Sequence, residues 1–199
     1  MKKIVLASGN KGKLKEFAQL FATMDIEVVP QADFDVPEAE ETGLSFVENA
    51  IIKARNAAHH TGLPAIADDS GIEVDALQGK PGIYSARFAG ANASDQDNLE
   101  HLLSSLKDIA EDKRTARYQC LLVYMQHEND PTPLITQASW EGCILTKATG
   151  NGGFGYDPIF WVEGSQCSAA ELTAEQKHAV SHRGKAIRLF AEQFSKLNN

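Results

Sequence analysis

Basic residues are in the minority in this chain. Its 199 residues carry 19 Lys and Arg against 27 Asp and Glu, a formal net charge of -8. That balance argues against broad binding to nucleic acid or to an anionic membrane surface, both of which require basic patches. It leaves phosphate ligands open, because a bound cation and a few local lysines reverse the field inside one pocket. Cysteine is scarce too. Cys120, Cys143 and Cys167 form no CxxC pair, and an odd, scattered set suits a reducing compartment better than a disulfide framework. A full zinc-ligand pattern is missing, since His59 and His60 are adjacent and His178 and His182, four residues apart, have no CxxC pair to go with them. Long apolar runs are missing as well. The first, residues 4–7, stops at Ser8, too short for a signal-peptide core or a membrane span. These absences predict a cytoplasmic protein with no membrane or nucleic-acid partner. The chain is still long enough to bury a core without disulfides or a metal staple.

What is present is an alternation of strand and helix signals. Residues 4–7 read as a strand that ends in Ser8-Gly9-Asn10, a turn signal, and Leu14, Phe17, Ala18 and Phe21 follow at helical spacing. Residues 26–29 read as a second strand and 37–43 as an acidic loop. A helix over about 45–60 is framed by Ser45 and Glu48, a possible capping box, and by Gly62 as its stop. Leu44, Val47, Ile51, Ala54 and Ala58 are expected on its apolar side; Ser45, Asn49, Lys53 and Asn56 on its polar side. Residues 64–67 form a short strand that meets Asp68-Asp69-Ser70-Gly71, and extended structure resumes over 72–77. A third helix carries Leu99, Leu102, Leu103 and Leu106, with Ser94 or Asp95 near its start. Strands over 117–126 and 134–145, a glycine-rich loop over 150–155, a strand over 158–162 and helices over 174–180 and 182–196 complete the chain. Early alternation and a late hairpin predict an α/β fold, a mixed sheet with helices packed on it.

Five places hold the residues for chemistry. Ser8, Gly9, Asn10, Lys11, Gly12 and Lys13 lie between a strand and a helix N-terminus, where backbone N–H groups favour anions. The loop is not a Walker A motif, because Leu14 follows Lys13 where that motif needs Ser or Thr. A solvated turn is the competing reading. Glu40-Glu41 and Asp68-Asp69 supply hard oxygen ligands that suit Mg²⁺, which uses one or two carboxylates plus phosphates and waters. Read alone, Glu40-Glu41 is a solvated acidic loop. Two adjacent acids between apolar strands, in contrast, are costly to bury unless a cation or donors meet them. The helix carrying Lys53 joins these two carboxylate pairs. In Gly152-Gly153-Phe154-Gly155-Tyr156-Asp157-Pro158 an aromatic ring flanked by glycines offers a stacking face for a base, and Asp157 a group for its polar edge. The competing reading folds that ring inward. Ser181-His182-Arg183-Gly184, with Lys177 before it, groups donors at a helix start.

In this order the motifs closely resemble the inosine triphosphate pyrophosphatase family in its bacterial dITP/XTP pyrophosphatase form. The matching stretches are Ser8 to Lys13, Glu40-Glu41-Thr42-Gly43, Glu48-Asn49-Ala50, Lys53-Ala54, Ala67 to Gly71, Pro81 to Arg87, Gly153 to Pro158 and Ser181 to Gly184. The resemblance spans essentially the whole chain. Ser8 stands where the family usually has threonine, and the hydroxyl is kept. The resemblance implies one domain over 1–199, an elongated sheet flanked by helices with two lobes around a deep cleft, and a homodimer. It implies Mg²⁺-dependent hydrolysis of ITP, dITP and XTP to the monophosphate and pyrophosphate, which clears deaminated purines. Asp69 and Asp68 take the catalytic role in that scheme, and Asp69 with Glu41 or Glu40 the metal. Ser8 to Lys13, Lys53 and Lys177 fall to the triphosphate, and Ser70 to the substrate. Phe154, Gly155, Tyr156, Asp157, His182 and Arg183 fall to the base. Two other readings stand beside it: an aspartic protease built on Asp69-Ser70-Gly71, and a nucleotide-binding regulator without catalysis.

Overall fold

The computed structural model describes residues 2–21 and 26–197, without the side chains at 2, 11, 16, 19 and 20. The elements run β1 (Lys2–Leu6), α1 (Lys11–Phe21), β2 (Ile26–Pro30), α2 (Phe46–Thr61), β3 (Ala65–Val74), α3 (Asp95–Ser105), β4 (Thr115–Met125), β5 (Leu134–Ile144), β6 (Phe160–Val162), β7 (Cys167–Ser168), α4 (Ala174–Val180) and α5 (His182–Leu197). The strands form a seven-stranded sheet in the order β2-β1-β3-β4-β5-β6-β7. β1 runs parallel to β2 and β3, whereas β6 is antiparallel to β5 and β7. The mixed α/β sheet expected from the sequence is the one observed. Among the described residues no helix is long and apolar enough to cross a membrane.

By its internal contacts the chain divides into two compact units. The first comprises Met1–Asp69, Cys120–Gln137 and Ala186–Asn199, the second Ser70–Gln119 and Ala138–Lys185. In the first unit strand alternation sorts the core. Val5, Ala65, Ala67, Leu121, Val123 and Met125 meet the alanines of α2 at Ala50, Ala54, Ala57 and Ala58. Those small residues let the helix approach the strands closely. Residues of the other parity include Tyr124, which meets Phe190 and Phe194 of α5, while Phe190 lies edge-on to Phe21 of α1 with centroids 5.4 Å apart. In the second unit Leu99, Leu102 and Leu106 pack with Ile72, Val74, Tyr118, Trp140 and Phe160.

The helix boundaries follow their caps. Ser45 caps α2 by accepting the Glu48 N–H, and Gly62 ends it in the left-handed region. Glu48 reaches back to the Leu44 N–H at 2.9 Å and to the Ser45 hydroxyl at 2.7 Å. Ser94 and Asp97 form a complete capping box on α3, and Ser181 separates α4 from α5.

Three expectations are corrected. Leu44 is 83% exposed, because it precedes the N-cap and helical periodicity does not govern it. Asn49 is buried rather than solvated, since its amide oxygen takes the Gly43 N–H at 2.8 Å. Asp68 to Gly71 do not interrupt the extended chain but lie within β3. The two-residue strand β7 is too short to leave a pattern in the sequence.

Replacing Phe190 by Ala removes a fully buried ring from the first unit's core. The expected cost is about 3–5 kcal/mol, seen as a lowered urea midpoint with an unchanged slope.

Candidate active site

The continuity of β3 determines where its acids point. Successive strand residues face opposite sides of a sheet, so Asp68 and Asp69 diverge. Asp68 is met by the Lys13 ammonium from α1 in an ion pair, and the Cys120 thiol lies 3.7 Å from its Oδ2. Asp69 is met from α2, where Lys53 Nζ donates to its Oδ1 at 2.6 Å. Lys53 also reaches Glu41 Oε1 at 3.2 Å. The loop holding Glu41 is fixed by short-range bonds: Thr42 N–H donates to the Glu40 carbonyl at 3.0 Å, and Gly43 N–H to Asn49. Gly43 has no room for a side chain, because a Cβ there would come within 2.7 Å of Asn49 Oδ1. Glu41 is thereby half-buried against Lys53, while Glu40 is exposed.

Among the described residues three carboxylates, Asp68, Asp69 and Glu41, gather around two ammonium groups, Lys13 and Lys53. Burial pushes the Asp69 carboxyl above the usual Asp range, with Glu41 and Asp68 adding to it, and Lys53 offsets this only in part. Burial alone would lower the Lys53 ammonium, but Asp69, Asp68 and Glu41 together hold it above its ordinary value. Asp69 Oδ2 is buried without a hydrogen-bond partner among the described residues. A hard cation fits that oxygen. Among the described residues no three His, Cys, Asp or Glu side chains form a closed metal cage. Mg²⁺ does not need one, since phosphates and waters complete its shell.

The Ser8 to Lys13 loop is arranged differently from a bare anion nest. Asn10 Oδ1 accepts the N–H groups of Gly12 at 2.9 Å and Lys13 at 3.1 Å, and Ser8 Oγ accepts that of Asn10 at 3.2 Å. The asparagine therefore caps α1 and holds Lys13 on Asp68. Gly9 is exposed; the side chain of Lys11 lies outside the described residues. Ser70, next in β3, is half-buried.

In the second unit Asp157 is the hub. It is 2% exposed and accepts the Phe154 N–H at 2.9 Å on Oδ2 and the Tyr118 hydroxyl at 3.3 Å on Oδ1. Lys177 forms an ion pair with Oδ2. Gly153 has a left-handed φ of 73°, and a Cβ there would strike the Asp157 carboxylate. Phe154 is 42% exposed, so the ring turns outward. Lys177 Nζ lies 4.5 Å from its centroid and Arg183 Cζ 5.8 Å. The Gly155 N–H donates to Asp95 at 2.8 Å, and the buried Tyr156 ring sends its hydroxyl to the Ser85 carbonyl at 2.7 Å. His182 and Arg183, the first residues of α5, are buried. The His182 ring is nearly parallel to Tyr118, with centroids 4.7 Å apart.

Of the residues singled out in the sequence, Lys13, Glu41, Lys53, Asp68 and Asp69 meet in one group, and Phe154, Asp157, Lys177 and Arg183 in another. Lys177 stands with the aromatic group. Tyr156 points its ring into the core. Asn49, Asp95, Tyr118, Trp140 and Cys120 were not legible as site residues. Each sits in a strand or helix where its neighbours read as ordinary core or surface, and only distant contacts give it a role.

Fold and site define the class: a mixed α/β protein with lysine-neutralised carboxylates suited to a polyphosphate and an outward ring suited to a base. The chain belongs to the Ham1 family, whose model matches residues 4–193. It is similar to a protein of Photobacterium profundum named dITP/XTP pyrophosphatase, 61% identical over 192 residues, 96% of this chain and 98% of that one. A HAM1 protein from Coxiella burnetii superposes with a TM-score of 0.94 at 47% identity, covering 98% of this chain and 100% of the other. A nucleoside-triphosphatase / dITP/XTP pyrophosphatase from Mycobacterium abscessus does so with a TM-score of 0.77 at 43% identity, covering 94% and 98%. The family expected from the motifs is the family found.

Asp157→Ala leaves Lys177, whose side chain is 13% exposed, without its counter-charge. Breaking such a buried pair is expected to cost about 3–5 kcal/mol, measured as a fall in unfolding free energy by denaturant titration.

Proposed function

We infer that this protein hydrolyses non-standard purine nucleoside triphosphates, ITP, dITP and XTP, to the monophosphate and pyrophosphate. One observation carries the reading: Asp69 holds one carboxylate oxygen on Lys53 and, among the described residues, keeps the other buried without a partner, beside the carboxylate of Glu41 that shares the same lysine. High identity to proteins named dITP/XTP pyrophosphatase supports the substrate class.

The group around Asp69 has the chemistry for a triphosphate, and the group around Phe154 the chemistry for a purine base. Mg²⁺, held by Asp69 and Glu41, supplies Lewis-acid stabilisation of phosphate charge when bound. The Asp69 carboxylate orients a water and takes its proton as the water oxygen bonds to the α-phosphorus. The bond from that phosphorus to the bridging oxygen breaks, and pyrophosphate leaves with the electron pair. Lys13 and Lys53 are already desolvated and fixed by their carboxylates, so they neutralise phosphate charge with little reorganisation.

Base choice follows from edge chemistry. Hypoxanthine and xanthine present a carbonyl acceptor at C6, where adenine presents an amino donor. Lys177, His182 and Arg183 are donors, and a donor facing adenine's amino group loses its partner at roughly 1–3 kcal/mol. Phe154 supplies the stacking face. Guanine shares the C6 carbonyl, so its 2-amino group is the feature refused. The same reading carries a cytoplasmic setting and a homodimer, whose mark in solution is the mass of two chains.

An aspartic protease is a poor fit, because its chemistry needs two carboxyls sharing a proton, and here Asp69 Oδ1 faces an ammonium. A binding protein without catalysis would release no pyrophosphate. The test is one panel: purified protein, several triphosphates, Mg²⁺ with and without chelator, and separate detection of pyrophosphate and orthophosphate. Pyrophosphate from ITP and XTP, abolished by chelator, is expected; orthophosphate alone would overturn the reading. Asp69→Asn is expected to lower kcat by roughly 10²–10⁴ with an unchanged circular dichroism spectrum. Wild-type kcat in that variant would remove Asp69 from the mechanism.

A further inference from the structure

We propose that Tyr118 is a positioning residue for base recognition, tying the glycine-rich loop to the start of α5; this rests on the function inferred above. Its two ends contact different segments. The hydroxyl donates to Asp157 Oδ1, and Asp157 in turn holds the Phe154 N–H and the Lys177 ammonium through Oδ2. The ring lies flat against His182, 9° from parallel. Trp140 continues the stack, 6.2 Å from His182 and 20° from parallel, and Phe160 braces Tyr118 at 4.7 Å. One buried side chain thus meets both the carboxylate behind the stacking ring and the imidazole beside Arg183.

The chemistry favours tyrosine at this place. Phenylalanine would keep the stack on His182 but leave a buried carboxylate oxygen with one donor fewer. Histidine or a smaller residue would lose the parallel face. Burial, reinforced by Asp157, pushes the phenol well above its ordinary range, so the hydroxyl remains a donor at any pH the enzyme meets. No part of Tyr118 lies in the carboxylate–lysine group, so the residue acts on the base and not on the phosphorus.

Tyr118→Phe separates these roles. KM for ITP is expected to rise about five-fold, the effect of an ordinary hydrogen bond rather than of a short one to a charged group, because the contact is long. Values of kcat within about two-fold of wild type are expected, since no group at the phosphorus changes. Competitive inhibition by tripolyphosphate, which has no base, should not move. In an Asp157→Asn background the tyrosine substitution should add less than it does alone, because the shared bond is already weakened. Calorimetric binding of IMP reads the same link without turnover, with a similar loss of affinity expected. An unchanged KM and unchanged IMP affinity would overturn the proposal, as would an equal shift with tripolyphosphate or full additivity with Asp157→Asn. Wild-type protein that fails to hydrolyse ITP would overturn the proposed function instead.

Discussion

The structure turns on the burial of negative charge at the middle of β3. Two consecutive carboxylates, almost out of solvent, are tolerable only because a lysine arrives from each side of the sheet. Lys13 comes at the start of α1 and Lys53 from the second turn of α2. Neither lysine is placed by chance: Asn10 caps α1 and fixes the first turn, while Ser45 and Glu48 fix the start of α2. The third carboxylate, Glu41, shares Lys53 with Asp69. The desolvation that makes such a group costly to bury also strengthens every charge interaction within it.

The aromatic group of the second unit works by a different principle. It is built on the ion pair of Asp157 with Lys177 and on rings stacked in parallel. Gly153 lets the loop fold over the Asp157 carboxylate, which then holds the backbone beneath Phe154. The exposed ring sits on a rigid base, so its exposure does not imply looseness.

Much of this was legible in the sequence, and the reasons for the rest are physical. Helical spacing and caps located α2, α3, α4 and α5, because hydrophobic period and capping side chains are local properties. The acids of β3 and the outward Phe154 could be singled out, because buried charge and a ring among glycines are both locally anomalous. Asn49 was misread, since its burial depends on a turn six residues upstream that presents the Gly43 N–H. Tyr118 and Trp140 read as plain strand residues; their partners lie tens of residues away, and no local pattern announces a stack. The strand was expected to pause at Asp68, as acids depress strand propensity. Tertiary ion pairs overrode that preference.

The alternation at Asp68 and Asp69 has a consequence for how the protein is made. Sliding β3 by one position against its neighbours would hand each acid to the opposite helix and turn its apolar residues to the wrong side. Lys13 would then meet the residue meant for Lys53, and Glu41 would lose its place. Correct strand pairing and a competent centre therefore arrive together. A misaligned molecule would be inert rather than sluggish, and a population of such proteins would divide into working and dead copies with nothing in between.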